Sequence, residues 1–374
     1  MNCNKRLCGK EKMVRGRNLT AALLVSAAVL PSGNLYAQYE SEIVSSAPQT
    51  PEFNIMGFGD VSYVSRDSSN DDGFLIGQAV AHLTASLGES FSVFGEFSAT
   101  ARDSEYAFEV ERLIAKYDFS DLVKVSAGRY HTPIGYWNSA FHHGAWLQTT
   151  ARRPEAFKFG SRIVPIHFVG VLAEGTWNQS PLGLSYMAGF GNGRHANIAR
   201  AGDAGDINGE NAWMLQLRAA PAAFYGLNVG IGFYSDEVNP DGDPPIDETS
   251  FSAFAAWTGE SPEVIIEYLH SSHELVSDSS VSGDVNAWYA QFAYRLKDEW
   301  SAWKPYARVE HTDVDDTDPM LGADGLDYDA ALLGVRWDFN PYAALKVEYR
   351  NEKFDNGGRE NNFQVQLAFV LANF

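Results

Sequence analysis

From residue 53 onward, apolar and polar positions alternate with a period of two, the pattern of half-buried β-strands. It is clearest late in the chain. Ala331, Leu333, Val335, Trp337 and Phe339 share one face, with Gly334, Arg336 and Asp338 on the other. Leu345, Val347 and Tyr349 oppose Lys346, Glu348, Arg350 and Glu352. Trp213, Leu215, Leu217 and Ala219 alternate with Met214, Gln216 and Arg218, and Phe363 to Leu371 repeats the pattern against Gln364 and Gln366. Read this way, the chain predicts sixteen strands: 53–65, 74–87, 90–102, 107–119, 123–133, 167–178, 182–191, 212–220, 226–236, 250–258, 262–273, 284–296, 304–313, 329–339, 344–353 and 362–374. No amphipathic helix of useful length interrupts them. Most strands reach the ~9–11 residues that a tilted membrane strand needs.

The connections sharpen this picture. Those after even-numbered strands are short, such as 88–89, 120–122 and 340–343. Those after odd-numbered strands are mostly longer and rich in Asp, Gly and Pro, with 134–166 the longest. Alternation alone fits both a soluble sandwich and a membrane barrel. Short turns at one rim and long loops at the other fit the barrel. The predicted fold is therefore all-β, a transmembrane antiparallel β-barrel of sixteen strands with an inward-folded third external loop.

Composition narrows the function classes. The 374 residues are 45% hydrophobic and 13% aromatic, enough for a large folded body. With 28 Lys and Arg against 48 Asp and Glu, the net charge of −20 argues against a nucleic-acid partner. Cys3 and Cys8 are the two cysteines, which excludes a disulfide scaffold. The first stretch carries Lys5, Arg6, Lys10, Lys12, Arg15 and Arg17, then an apolar run Leu19–Leu30 too short to span a bilayer, then Pro31 and Gly33. This predicts a signal peptide over 1–37, a short periplasmic segment over 38–52 and the barrel over 53–374. Its basic charge is removed with it, so the exported part is more acidic than the whole.

The loop 134–166 has the opposite sign. Arg152, Arg153, Lys158 and Arg162 face a single acid, Glu155; His142 and His143 lie within it, and Arg129, His131 and His167 flank it. Tyr136, Trp137, Phe141, Trp146, Phe157 and Phe159 give it material to pack on a wall. We expect it to fold inward and place Arg129, His142, His143, Arg152, Arg153, Lys158 and Arg162 at a constriction that favours anions. Ion pairing with acids such as Glu96, Glu174, Glu267, Glu310 or Glu348 would instead give a mixed-charge channel, and a third reading makes the loop a plug. Glu96, Arg218, Glu267, Arg336, Lys346, Glu348 and Arg350 are expected to face the lumen. Adjacent His142 and His143 would point to opposite faces of a strand and need His131 or an acid to hold a metal, so no metal site is assigned. Residues 236–250 and 313–329 are acidic and contain no Lys or Arg. They are expected to be solvated external loops, with Ca²⁺ or Mg²⁺ as candidate ligands bridging to lipopolysaccharide.

The leader, the sixteen strands, the long third loop and a terminal Phe374 together resemble a Gram-negative outer-membrane porin. GRYHTPIGYW (128–137) followed by HHGAWLQTTARRPE (142–155) is similar to the phosphate-selective porin O/P-like group. The resemblance implies a water-filled channel for passive diffusion of small hydrophilic solutes, with phosphate or carboxylates as candidates. It also implies a homotrimer, Phe374 as a signal for the barrel-assembly machinery, and an outer-membrane lipid setting. The dense Arg ladder of that group is not evident along the strands. No nucleophile motif such as G-x-S-x-G appears, so no enzymatic activity is expected; a structural or adhesive barrel, or a lipid hydrolase, is the alternative.

Overall fold

The computed structural model describes residues 51–67, 72–102, 105–141, 143–199, 208–355 and 358–371. The expected leader, His142 and Phe374 lie outside the described residues. Sixteen strands follow in order: β1 Glu52–Arg66, β2 Gly73–Ser86, β3 Phe91–Arg102, β4 Glu105–Asp118, β5 Lys124–His131, β6 His167–Trp177, β7 Leu184–Asn192 and β8 Ala212–Ala219. The second half comprises β9 Leu227–Val238, β10 Ile246–Thr258, β11 Glu263–Leu275, β12 Asp278–Ala293, β13 Trp303–Val314, β14 Tyr328–Asn340, β15 Ala343–Phe354 and β16 Arg359–Leu371. Every strand pairs antiparallel with its sequence neighbours, and β1 closes on β16 from Gly57↔Leu371 to Arg66↔Asn362. Closure leaves no unpaired edge, as backbone in lipid requires.

The two faces of the sheet are chemically distinct. Leu333, Trp337 and Tyr349 are exposed on the outside, as are Trp213, Leu215, Phe363 and Leu367. On the same strands Lys346, Glu348, Arg350, Arg336, Gln216 and Gln366 are buried on the inside. An apolar exterior over a polar interior inverts the soluble arrangement and matches a barrel solvated by lipid. No helix among the described residues is long and apolar enough to cross a membrane.

Three boundaries differ from the sequence reading. β9 and β10 extend until only 239–245 separate them, so Asp236, Glu237, Asp247 and Glu248 are strand residues rather than loop acids. β12 begins at Asp278, which leaves 276–277 as a tight turn. The β3–β4 connection is as short, at 103–104. Long loops therefore do not follow every odd strand. Asp278–Ser282 is exposed on both faces in the DSSVS segment. A hairpin wet on both sides carries no alternation, so pattern reading stops where solvent begins.

The inner face is not uniformly polar. A buried cluster joins Ile134, Trp137, Phe157, Ile163 and Val164 of the long β5–β6 connection to Phe168, Met214, Tyr234, Ile265, Leu269 and Tyr289 of the wall. Glycines on the wall make room for large rings. Gly334 pairs with Tyr306 across β13–β14, and a Cβ there would lie 2.3 Å from the ring.

Candidate functional site

The site is built around residues 132–166, between β5 and β6. β5 ends where Pro133 removes a ladder donor. Gly135 then adopts φ 72°, and a Cβ at that position would lie 1.8 Å from Glu267 Oε1. Glycine is therefore required both for the left-handed backbone and for the close approach. That approach lets Glu267, on β11, accept from Tyr136 N at 2.8 Å on Oε1, and from Trp137 N at 3.1 Å and Tyr289 Oη at 2.8 Å on Oε2. Ser252 accepts from Gly135 N and Gln216 donates to Gly135 O, each at 3.0 Å. A single short helical turn, α1 (Trp137–Ala140), follows.

The second half of the loop is held by charged side chains of β13–β15. Lys346 Nζ donates to the carbonyls of Ala145 at 2.6 Å and Thr150 at 2.9 Å. Arg336 Nη1 donates to Trp146 O at 2.7 Å and Gln148 O at 2.9 Å. Glu348 accepts from Ala151 N at 2.9 Å, and Glu310 from Glu155 N at 2.6 Å. Arg308 donates to Thr150 Oγ1 and Arg152 O, both at 2.9 Å. Hydrogen bonds to a charged group each contribute about 1.5–3 kcal/mol. Wall residues such as Arg336, Lys346 and Glu348, expected to face the lumen, are thus largely occupied with loop backbone. Arg350 lies among Glu310, Glu348 and Glu352 at 3.3, 3.6 and 3.3 Å. Arg218 donates to Gln216 Oε1 at 2.5 Å and lies over Phe254.

The basic residues expected at the constriction are also engaged. Arg152 pairs with Glu352 at 3.3 Å, Lys158 with Glu155, and Arg162 with Asp324. Arg153 lies 3.9 Å above the centre of the Phe159 ring, and its guanidinium has no hydrogen-bond partner among the described residues. Burial pushes its pKa down to about 9, against the pull of the Glu111 charge. Arg129 is turned to the backbone, donating to Val110 O and to Glu111 O at 3.1 Å. Glu96, on β3, is buried under His82 and Arg112, each at 2.6 Å. The expected acidic loops are spent internally in part: Glu248 accepts from Arg194 Nε and Nη2 at 2.6 and 2.8 Å, and Asp318 lies 2.6 Å from His273.

One residue that the pattern reading misses is Glu111. The β3–β4 register shifts between Glu96↔Arg112 and Phe97↔Val110, which makes Glu111 the extra residue of a β-bulge. A bulge turns two consecutive side chains to one face, and Glu111 is buried inside the barrel with Arg112 beside it. There its Oε2 lies 3.2 Å from His143 Nε2 and 3.1 Å from His167 Nε2. The signal in sequence is the break in phase between Phe108–Val110 and Leu113–Ala115. His131 and His167 face each other directly in the β5–β6 register.

Two cavities adjoin the loop. One of about 470 Å³ is lined by His82, Arg112, Lys116, Tyr130, His131 and Glu174 among others. The other, of about 670 Å³ toward the short-turn end, is lined by Tyr136, Trp146, Glu260, Glu263, Lys304 and Arg336 among others.

No protein-family model matches the chain, and no curated protein matches it in sequence. Solved structures do match its fold. An anion-selective porin from Comamonas acidovorans aligns with a TM-score of 0.63 at 11% identity, over 86% of this chain and all of that one. The outer membrane protein OmpT of Vibrio cholerae, in its trimer form, gives 0.57 at 15% identity over 86% of this chain and 99% of that one. OmpF of Salmonella typhi gives 0.54 at 12%, over 86% and 97%. At these identities the likeness is one of fold: the chain is built as a closed barrel of the kind seen in outer-membrane porins.

Proposed function

We propose that the protein is an outer-membrane channel for passive diffusion of small hydrophilic solutes, and that it favours anions. The observation that carries the anion preference is which member of each ion pair meets water. Arg112 is 27% exposed where Glu96 is 0%, Arg152 is 31% where Glu352 is 1%, and Lys158 is 49% where Glu155 is 12%. In these three pairs the cation faces the solvent and the acid is covered. A pair that is neutral in sum therefore presents positive charge to a passing solute, and low-dielectric walls extend its reach. At the short-turn end the order reverses, with Glu260 50% exposed over a covered Lys304. Selection belongs to the loop level rather than to the rim. Arg112 and Arg152 suit carboxylate or phosphate oxygens, because the planar guanidinium can hold two at once. The name of the similar anion-selective porin supports this sign, and the trimer form of the similar Vibrio protein supports a homotrimer.

The test is a reversal potential in a KCl gradient across planar bilayers holding the folded protein. We expect anion preference, reduced by Arg112→Gln combined with Arg152→Gln. Unchanged selectivity in that double variant would remove these side chains from the filter. Absence of step-like conductance from folded protein would sink the channel reading itself.

A further inference from the structure

We propose that Glu111, His131, His143 and His167 form a binding site for a transition-metal dication of the Zn²⁺ class, which fastens the third loop to the barrel wall. One candidate ligand atom from each residue lies within 4.8 Å of all the others, and the four side chains are buried. The four come from four separate places: the β4 bulge, the last residue of β5, the first residue of β6, and the loop between them. His131 and His167 are cross-strand partners at the neck of the loop, and His143 folds back onto that neck.

The spacings around the carboxylate match those of a tetrahedral site. Zn²⁺ binds nitrogen and oxygen at about 2.0–2.1 Å, so neighbouring ligand atoms in a tetrahedron lie about 3.3 Å apart. Glu111 Oε2 lies 3.2 Å from His143 Nε2 and 3.1 Å from His167 Nε2. Three imidazoles select Zn²⁺, Co²⁺, Ni²⁺ or Cu²⁺ over Ca²⁺ and Mg²⁺, which demand oxygen. Supporting groups stand where a ligand set needs them. Ser98 Oγ donates to Glu111 Oε1 at 2.5 Å, and Glu96 Oε2 lies 3.4 Å from His131 Nε2. The bulge supplies a reason for its own existence, because without it the outward phase of Phe108 and Val110 or of Leu113 and Ala115 would turn one of Glu111 and Arg112 into lipid. The 470 Å³ cavity that His131 borders gives the ion a path in. Four protein ligands make a closed, structural site. None of this depends on the channel reading.

The competing account is a metal-free network in which Glu111 accepts from His143 and His167. Equilibrium dialysis of the chelator-stripped, folded barrel against Zn²⁺, read by elemental mass spectrometry, separates the two. We expect one Zn²⁺ per chain, and Co²⁺ in its place should show the intense visible bands of tetrahedral coordination. His143→Gln leaves all sixteen strands untouched and should weaken binding more than ~100-fold, while Ser98→Ala should weaken it ~10–100-fold. His311→Gln, at an exposed residue paired with Asp329, should change nothing. No stoichiometric Zn²⁺ in the folded wild type, or wild-type affinity in His143→Gln, overturns the proposal.

Discussion

At the scale of single residues, the interior of this barrel is a set of charged side chains that hold backbone. Glu267 is the clearest instance. It receives two loop amides and one phenol, and the Cβ-free Gly135 lets the chain come that close. Glu267→Ala leaves two buried amides without an acceptor, at about 1–3 kcal/mol each. The start of the loop should then detach while the strands stay paired. We expect larger and noisier single-channel conductance, and faster trypsin cleavage after Arg152, since Pro154 protects the bond after Arg153, with the circular-dichroism signature of the paired strands retained. Glu267→Gln keeps one acceptor oxygen and should fall between the two. Unchanged conductance in Glu267→Ala would mean that the β13–β15 contacts alone position the loop. Glu267, Arg336, Lys346 and Glu348 were all legible as inward-facing from alternation, but their work was not. Whether an inward carboxylate meets water or a loop amide depends on where a distant segment lies, and period-two patterning carries no such information.

At the scale of elements, the strands themselves are the most readable part of the sequence, and the bulges the least. Alternation located all sixteen because lipid on one side and polar interior on the other impose opposite demands on neighbouring residues. It failed at Asp278–Ser282, which is wet on both faces, and at Glu111, where the extra residue shifts the phase. The site at the loop neck was illegible for the same reason: its four members become neighbours only through the β4 bulge and the His131↔His167 register. Inward glycines are a second device set at this scale. Gly334 receives the Tyr306 ring, whose hydroxyl donates to Glu348 at 3.0 Å, and Glu348 in turn accepts from Ala151 N. Gly334→Val places carbon into that ring and should force Tyr306 aside, at about 1–3 kcal/mol for overpacking. Thermal unfolding in detergent should show the loss, and Tyr306→Ala introduced with it should recover part of it. If Gly334→Val unfolds at the wild-type temperature, the ring has another place to go.

At the scale of the whole molecule, the net charge of −20 is an average over parts with different roles. Glu96 and Glu352 are covered and Glu260 is exposed, so a sum over the sequence gives no guide to what a solute meets. The outer surface poses a separate requirement that the same sequence must satisfy. Leu333 is 66% exposed on β14 and paired with Ala307, between inward neighbours Leu332 and Gly334. In lipid this position carries apolar surface, and a cation there costs about 2–4 kcal/mol near the bilayer midplane, falling to about 0–1 at the interface. Leu333→Arg should therefore lower the folding free energy into phospholipid vesicles by an amount in that range. Phe339→Arg, nearer the short-turn end of the same face, should cost less. The gradient between the two variants is the discriminating result. A soluble barrel would tolerate arginine equally at both outward positions, since each would gain hydration rather than lose it. Equal and negligible costs at Leu333 and Phe339 would remove the membrane from the account of this fold, whatever its conductance.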